Sequence, residues 1–205
     1  DGKTVIYIIE DAKVIGAIML TDIIRDESRE AVAILRSMNK RVAMLTGDNE
    51  GVARWVANEL GIKEYFANVL PENKAGTVKQ LQQDGSKVAM VGDGVNDAPA
   101  LTQADVGIAI GAGTDVAIES AGIVLMSSDP RGVAKTVKLS KYTYRKMLQN
   151  LAWATGYNAI AIPLAAGIAS GFGFVLSPAI GAILMSVSTI VVAVNAQLLR
   201  KIRLS

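Results

Sequence analysis

The chain has 205 residues, 21 Lys and Arg against 19 Asp and Glu, and 51% hydrophobic residues. Its net charge of +2, with no basic stripe interleaved with aromatics, gives no basis for a nucleic-acid partner. Cysteine and histidine are both absent, which removes disulfides, thiolate metal sites and the commonest general base.

The length suits one cored domain plus an appendage. A mean hydropathy of +0.34 is high for a soluble domain, and the excess lies toward the end. Asp1-Gly2-Lys3-Thr4 has neither the basic start nor the apolar core of a signal peptide, and no internal repeat is evident. Val5 to Ile9 and Val14 to Leu20 are β-rich runs separated by Glu10-Asp11-Ala12-Lys13, a hairpin or two neighbouring strands. A helix is predicted over Glu27 to Met38, where Ala31, Ile34, Leu35 and Met38 form one apolar stripe.

A strand over Arg41 to Leu45 runs into Thr46-Gly47-Asp48-Asn49, then a helix from Gly51 to Leu60 with Gly61 as its C-cap. Thr46 offers a hydroxyl and Gly47 an unobstructed N–H to an anion; an N-cap and turn is the plainer use of the same residues. Tyr65 to Leu70 reads as a short strand, followed by a helix from Pro71 to about Gln83. Lys74 falls in its first turn, where a cation opposes the helix dipole, so it either points at an anion or lies in solvent.

Val88 to Val91 is an apolar strand that stops at Gly92-Asp93-Gly94, with Asn96, Asp97 and Pro99 at the helix start beyond. Asp93 and Asp97 are hard oxygen ligands suited to Mg²⁺ with a phosphate, and the glycines permit close backbone approach. A short helix to Ala104, a strand Val106 to Ile110, a helix from Thr114 to Ser120 and a strand Ile123 to Met126 complete the alternation. Strands alternating with helices through short Gly/Asp turns predict βαβ units and a mostly parallel sheet. A hydroxyl, a cation and two carboxylates then converge on one rim, as phosphoryl transfer requires.

The order Thr46-Gly47-Asp48, Pro71-x-x-Lys74 and Gly92-Asp93-Gly94-Val95-Asn96-Asp97-Ala98-Pro99 resembles the phosphorylation domain of P-type ATPases, within the haloacid dehalogenase superfamily. The resemblance implies that Thr46, Gly47, Asp48, Lys74 and Asn96 are catalytic, with Thr46 and Gly47 holding a phosphoryl group and Lys74 neutralising it. It implies Asp93 and Asp97 as Mg²⁺ ligands, ATP as phosphoryl donor, and Asp22 and Arg25 at the re-entry from a nucleotide domain. The family's Asp-Lys-Thr-Gly-Thr motif, which carries the phosphorylated aspartate, does not occur in this sequence. The expectation is therefore a C-terminal portion of a larger pump, whose remaining N-terminal domains are its partners.

Residues 130–146 are basic and helical, with Lys135, Lys138, Lys141, Arg145 and Lys146. Residues 147–169 and 174–199 carry no charge, each about the twenty residues that cross a bilayer. Basic residues flank the outer ends, including Arg200, Lys201 and Arg203, while Ser170-Gly171-Phe172-Gly173 between them carries none. Both ends of this hairpin are expected in the cytoplasm and the turn outside, in the cell membrane. Asn150, Tyr157 and Asn158 lie in the first span with Pro163 placed to break its helix; Met185, Ser186, Ser188, Thr189 and Asn195 lie in the second. Such polar groups serve either interhelical hydrogen bonds or a transport pathway.

The pattern Gly156-Tyr157-Asn158-x4-Pro163, then Met185-Ser186-x-Ser188-Thr189 and Asn195-Ala196, resembles the last two membrane helices of heavy-metal P-type ATPases of the copper-exporting, CopB-like subgroup. A thioether suits Cu(I), and neither span holds a carboxylate. On that resemblance Tyr157, Asn158, Met185, Ser188 and Thr189 contact transported copper. The expected fold is α/β, a partial haloacid-dehalogenase-like parallel sheet followed by a two-helix transmembrane hairpin. Its organisation is 1–20, the end of a nucleotide domain; 21–129, phosphorylation domain; 130–146, linking helix; the spans 147–169 and 174–199; and a tail, 200–205. A membrane-tethered phosphatase of the same superfamily and a non-catalytic membrane fragment are the alternatives.

Overall fold

The computed structural model describes residues 4–20, 23–111, 115–173 and 175–202. The chain divides into two compact units, Asp1–Ala134 and Lys135–Ser205.

In the first unit, β1 (Thr4–Glu10) and β2 (Lys13–Leu20) pair antiparallel as the sequence predicts. Asp11 and Ala12 take positive φ at the tip. Apolar side chains point out from both faces of this hairpin: Ile6, Ile8, Ile9, Val14 and Ile15 are all exposed. An apolar ribbon of that extent marks a surface made to be covered.

The rest of the unit is βαβ. Helix α1 (Asp26–Ser37) leads to β3 (Ala43–Leu45), α2 (Glu50–Leu60) and β4 (Glu64–Phe66), with β3 and β4 parallel. Asn49 caps α2 through its Oδ1, which accepts the Val52 N–H at 3.1 Å, and Gly61 closes it at φ 67°. Then come α3 (Pro71–Gln82), β5 (Ala89–Gly92), α4 (Ala98–Gln103), β6 (Val106–Ile110), α5 (Asp115–Ser120) and β7 (Ile123–Leu125). Strands β5, β6 and β7 form a second parallel sheet in sequence order.

Two small cores follow this division. Val32, Ala57 and Ile62 pack with Met44 and Tyr65 under β3–β4, while Leu101 and Ala109 pack with Met90 and Val124 under β5–β7. Ion pairs tie the edges: Arg41 reaches Glu64 at 3.1 Å and Asp84 at 2.7 Å. Hydrogen bonds from Ser86 and from the Arg41 guanidinium hold the Asp84 carboxyl down to about 2.

Helix α4 lies so close to β6 that a Cβ on Gly107 would sit 2.6 Å from the Leu101 carbonyl oxygen. Backbone cannot yield there as a side-chain tip would. Gly107→Ala is expected to cost about 1–3 kcal/mol of stability, as overpacked core sites do. Denaturant unfolding followed by Trp55 fluorescence in a Trp153→Phe background checks this; an unchanged midpoint would show that α4 moves aside freely.

In the second unit, α6 (Arg131–Ala165) joins the basic stretch and the first apolar segment in one helix. Pro163 lies inside it, and the helix ends two residues later at Ala165. Gly167 then turns the chain at φ 82°, so the connection begins earlier than the expected Ser170. Helix α7 (Pro178–Gln197) starts on a Ser177 cap, and its Ile180, Ile183, Leu184, Val187, Ile190 and Val194 are exposed. The 23-residue run Ala179–Lys201 is long and apolar enough to cross a bilayer, and among the described residues it alone meets that test. In α6, Gln149, Asn150, Tyr157 and Asn158 dilute the apolar face.

Candidate functional site

The site is built at the carboxyl ends of β3 and β5. Past β3 the chain turns at once, and the half-buried Thr46 closes the turn on itself. Its Oγ1 donates to Asp48 Oδ2 at 2.6 Å and accepts the Asp48 N–H at 3.1 Å. The plainer use of this hydroxyl is thus real, and an arriving anion would have to compete with Asp48 for it. The backbone is held from the other side. Thr46 donates its N–H to Phe66 O at 3.0 Å, Val69 donates to Thr46 O at 2.9 Å, and Asn68 donates to Asp48 O at 2.8 Å. Among the described residues the Gly47 N–H has no partner, so it remains available to an anion.

Asn68 and Val69 are site residues that the sequence reading missed. Composition predicts a strand over Tyr65 to Leu70, but β4 ends at Phe66 and Asn68 stands at φ 53°. Asn tolerates that left-handed backbone, which was the available signal. The loop leads directly into α3, whose fourth residue is Lys74.

Lys74 points at an anion, as its placement in a first helical turn suggested, and the anion is Asp97. Its Nζ lies 2.6 Å from Asp97 Oδ1, with the two side chains only 17% and 11% exposed. Asp97 Oδ2 accepts the Asp93 N–H at a long 3.4 Å. Asp97 reaches back because Val95–Asp97 winds as a 3-10 turn, with its N–H on Gly94 O at 3.1 Å, before Pro99 opens α4. It fills the space beside Gly92, where a Cβ would lie 2.6 Å from Asp97 Cβ and 2.7 Å from its Oδ2. Gly92 is required by this internal contact. At Gly94 the nearest neighbour to a Cβ is 3.9 Å away, which leaves room for one.

Asp93 and Asn96 are exposed at the same rim. The donor set fits Mg²⁺, which binds through one or two carboxylates and completes its shell with phosphate oxygens and water. Among the described residues no group of three or more acidic side chains gathers into a cage. Asp93 is exposed, and Asp97 is buried against Lys74.

Arg25 is exposed at the start of α1, where its C=O accepts the Ser28 N–H at 3.0 Å; Asp22 lies outside the described residues. In the second unit Thr189 Oγ1 donates back to Met185 O at 3.0 Å, Met185 is 67% exposed, and Tyr157 and Ser188 are half-buried. Asn158 is exposed. Among the described residues, the polar contacts of this unit do not join these five into one cluster.

A parallel α/β domain with a threonine turn, a first-turn lysine and an aspartate pair on successive strand ends defines a phosphoryl-handling class. The chain belongs to the haloacid dehalogenase-like hydrolase family, whose pattern matches residues 1–105. Within that class it is 63% identical over 97% of its length to the copper-exporting P-type ATPase B of Archaeoglobus fulgidus. It is 50% identical over 97% of its length to the protein of the same name from Enterococcus hirae. The chain spans 29% of the first of these relatives and 27% of the second. A zinc-transporting PIB-type ATPase in its E2.Pi state superposes with a TM-score of 0.83 at 35% identity, over 97% of this chain and 32% of that one. The catalytic CPx-ATPase domain CopB-B matches 62% of this chain at a TM-score of 0.53 and 36% identity.

Proposed function

We propose that this chain is part of an ATP-driven, copper-translocating P-type ATPase. In the full pump, phosphate would pass from ATP to an aspartate on a segment outside these residues and then to water. The observation that carries the reading is the part-buried Lys74–Asp97 pair at 2.6 Å beside Asp93, on the rim of a parallel sheet. Lys74 supplies fixed positive charge to phosphoryl oxygens, and Thr46 Oγ1 with the Gly47 N–H supplies donors. Asp97 orients Lys74, and Asn96 supports the rim. Asp93, with Asp97 behind it, would hold Mg²⁺, which when bound neutralises charge on the phosphoryl group.

Among the described residues β3 pairs only with β4, and β5 only with β6. We assign the unpaired edges of β3 and β5 to a strand bearing the phosphorylated aspartate. The apolar hairpin β1–β2 is assigned to the nucleotide domain that binds ATP, with Asp22 and Arg25 at the re-entry. The apolar helix α7 and the uncharged part of α6 would form a membrane hairpin with both ends cytoplasmic, following the basic residues. Copper is favoured as cargo by 63% identity to a copper exporter against 35% to a zinc transporter, and by the absence of carboxylates from both spans. Tyr157, Asn158, Met185, Ser188 and Thr189 are the proposed copper contacts.

Asp93→Ala in the full-length protein should abolish Mg²⁺-dependent phosphoenzyme while membrane insertion is unchanged. Phosphoenzyme at the unsubstituted level would remove Asp93 from this role.

A further inference from the structure

Asn150 and Asn195 are polar groups in apolar spans that the copper contacts above leave unused. The structure places them in one chain of hydrogen bonds. Lys146 Nζ donates to Asn195 Oδ1 at 2.6 Å, and Asn195 Nδ2 donates to Asn150 Oδ1 at 2.7 Å. All three groups are part-buried, and the chain links α6 to α7.

Asn195 uses both ends of its amide here, the oxygen for an ammonium and the nitrogen for a second amide. An ammonium turned inward beside apolar side chains is costly unless an oxygen receives it, so Asn195 is selected by chemistry that no aliphatic residue replaces. A helix pair joined by two hydrogen bonds through one short amide side chain is restrained in rotation and in height. Asn150 lies about 10 Å along α6 from Tyr157, and Asn195 about 9 Å along α7 from Thr189, at 1.5 Å per residue. A one-residue slip turns a helix through about 100°, which would carry Asn158 away from any ligand shared with Met185.

We propose that Lys146, Asn195 and Asn150 form a clasp at the charged end of the hairpin that sets the register of α6 against α7. They are positioning residues for the copper contacts. The inference rests on the transport reading above. Losing the bridge should loosen the ion's ligand set while leaving the phosphorylation site intact.

The test is copper-stimulated ATP hydrolysis by the full-length pump, with phosphorylation by inorganic phosphate in the same preparations. Asn195→Leu should raise the copper concentration for half-maximal stimulation by roughly three- to twenty-fold, the span of interhelical hydrogen-bond energies in membranes. Its phosphorylation by inorganic phosphate should match that of the unsubstituted pump. Asn195→Asp, which still accepts from Lys146 and can accept from a rotated Asn150 amide, should restore the copper response; a variant damaged only in packing would not be rescued this way. An unaltered half-maximal concentration in Asn195→Leu, or equal losses in Leu and Asp variants, would overturn the clasp. A pump without any copper response before substitution would overturn the transport reading itself, and the clasp with it.

Discussion

Lys74→Met is expected to destabilise the first unit by about 3–5 kcal/mol, the usual cost of removing one partner from a buried ion pair. The Asp97 carboxylate, 11% exposed, would be left with only the long Asp93 N–H contact. Folding energy and chemistry separate in the double variant. Asp97→Asn on the Lys74→Met background removes the orphaned charge and should recover much of the lost stability. It should recover no phosphoenzyme, because the lysine ammonium that faces the phosphoryl oxygens is gone. Denaturant unfolding reported by Trp55, with Trp153 replaced by Phe, measures the first effect. Equal stability of the single and double variants would mean that the pair is too well solvated to matter.

Gly92→Ala should be nearly as damaging through geometry alone. The added methyl would stand 2.6 Å from Asp97 Cβ, 2.8 Å from Cγ and 2.7 Å from Oδ2, so the carboxylate must leave its place. Overpacking of this kind costs about 1–3 kcal/mol. Moving Asp97 moves Lys74 with it, and a misplacement of about 1 Å can lower a rate about 100-fold. Gly94→Ala is the control, two residues away. Its Cβ meets nothing closer than 3.9 Å, and its φ of −132° suits any residue. Stability should be unchanged there, so any loss of phosphoenzyme in Gly94→Ala reports a ligand against that backbone. If both glycine variants behaved alike, the internal contact assigned to Gly92 would be wrong.

The alternation of strands and helices was legible because buried parallel strands are short apolar runs and their turns carry Gly and Asp. Val88 to Gly92 and Val106 to Ile110 are such runs, and β5 and β6 fall on them. The Lys74 anion was legible as a need without an identity: a cation in a first helical turn asks for a partner, but sequence spacing could not name Asp97. The turn at Asn68 was hidden, because Tyr65 to Leu70 is β-rich in composition and one left-handed residue leaves no periodic trace. The contact that requires Gly92 was hidden for a related reason. A glycine's empty side is filled in three dimensions, here by a residue of its own turn. The split of the strands into β3–β4 and β5–β7 could not be read from the chain at all, since pairing partners are set by topology and not by local composition. In the second unit, apolarity located α7 within a few residues, and the bridge from Lys146 through Asn195 to Asn150 became visible only when two helices were placed together.

The most direct measurement is acid-stable labelling of the full-length protein by radiolabelled ATP with Mg²⁺, in the presence of copper or of zinc. Copper-dependent label that disappears in Asp93→Ala and Lys74→Met is the result expected. Label that answers to zinc but not copper, or no label at all, would contradict the account.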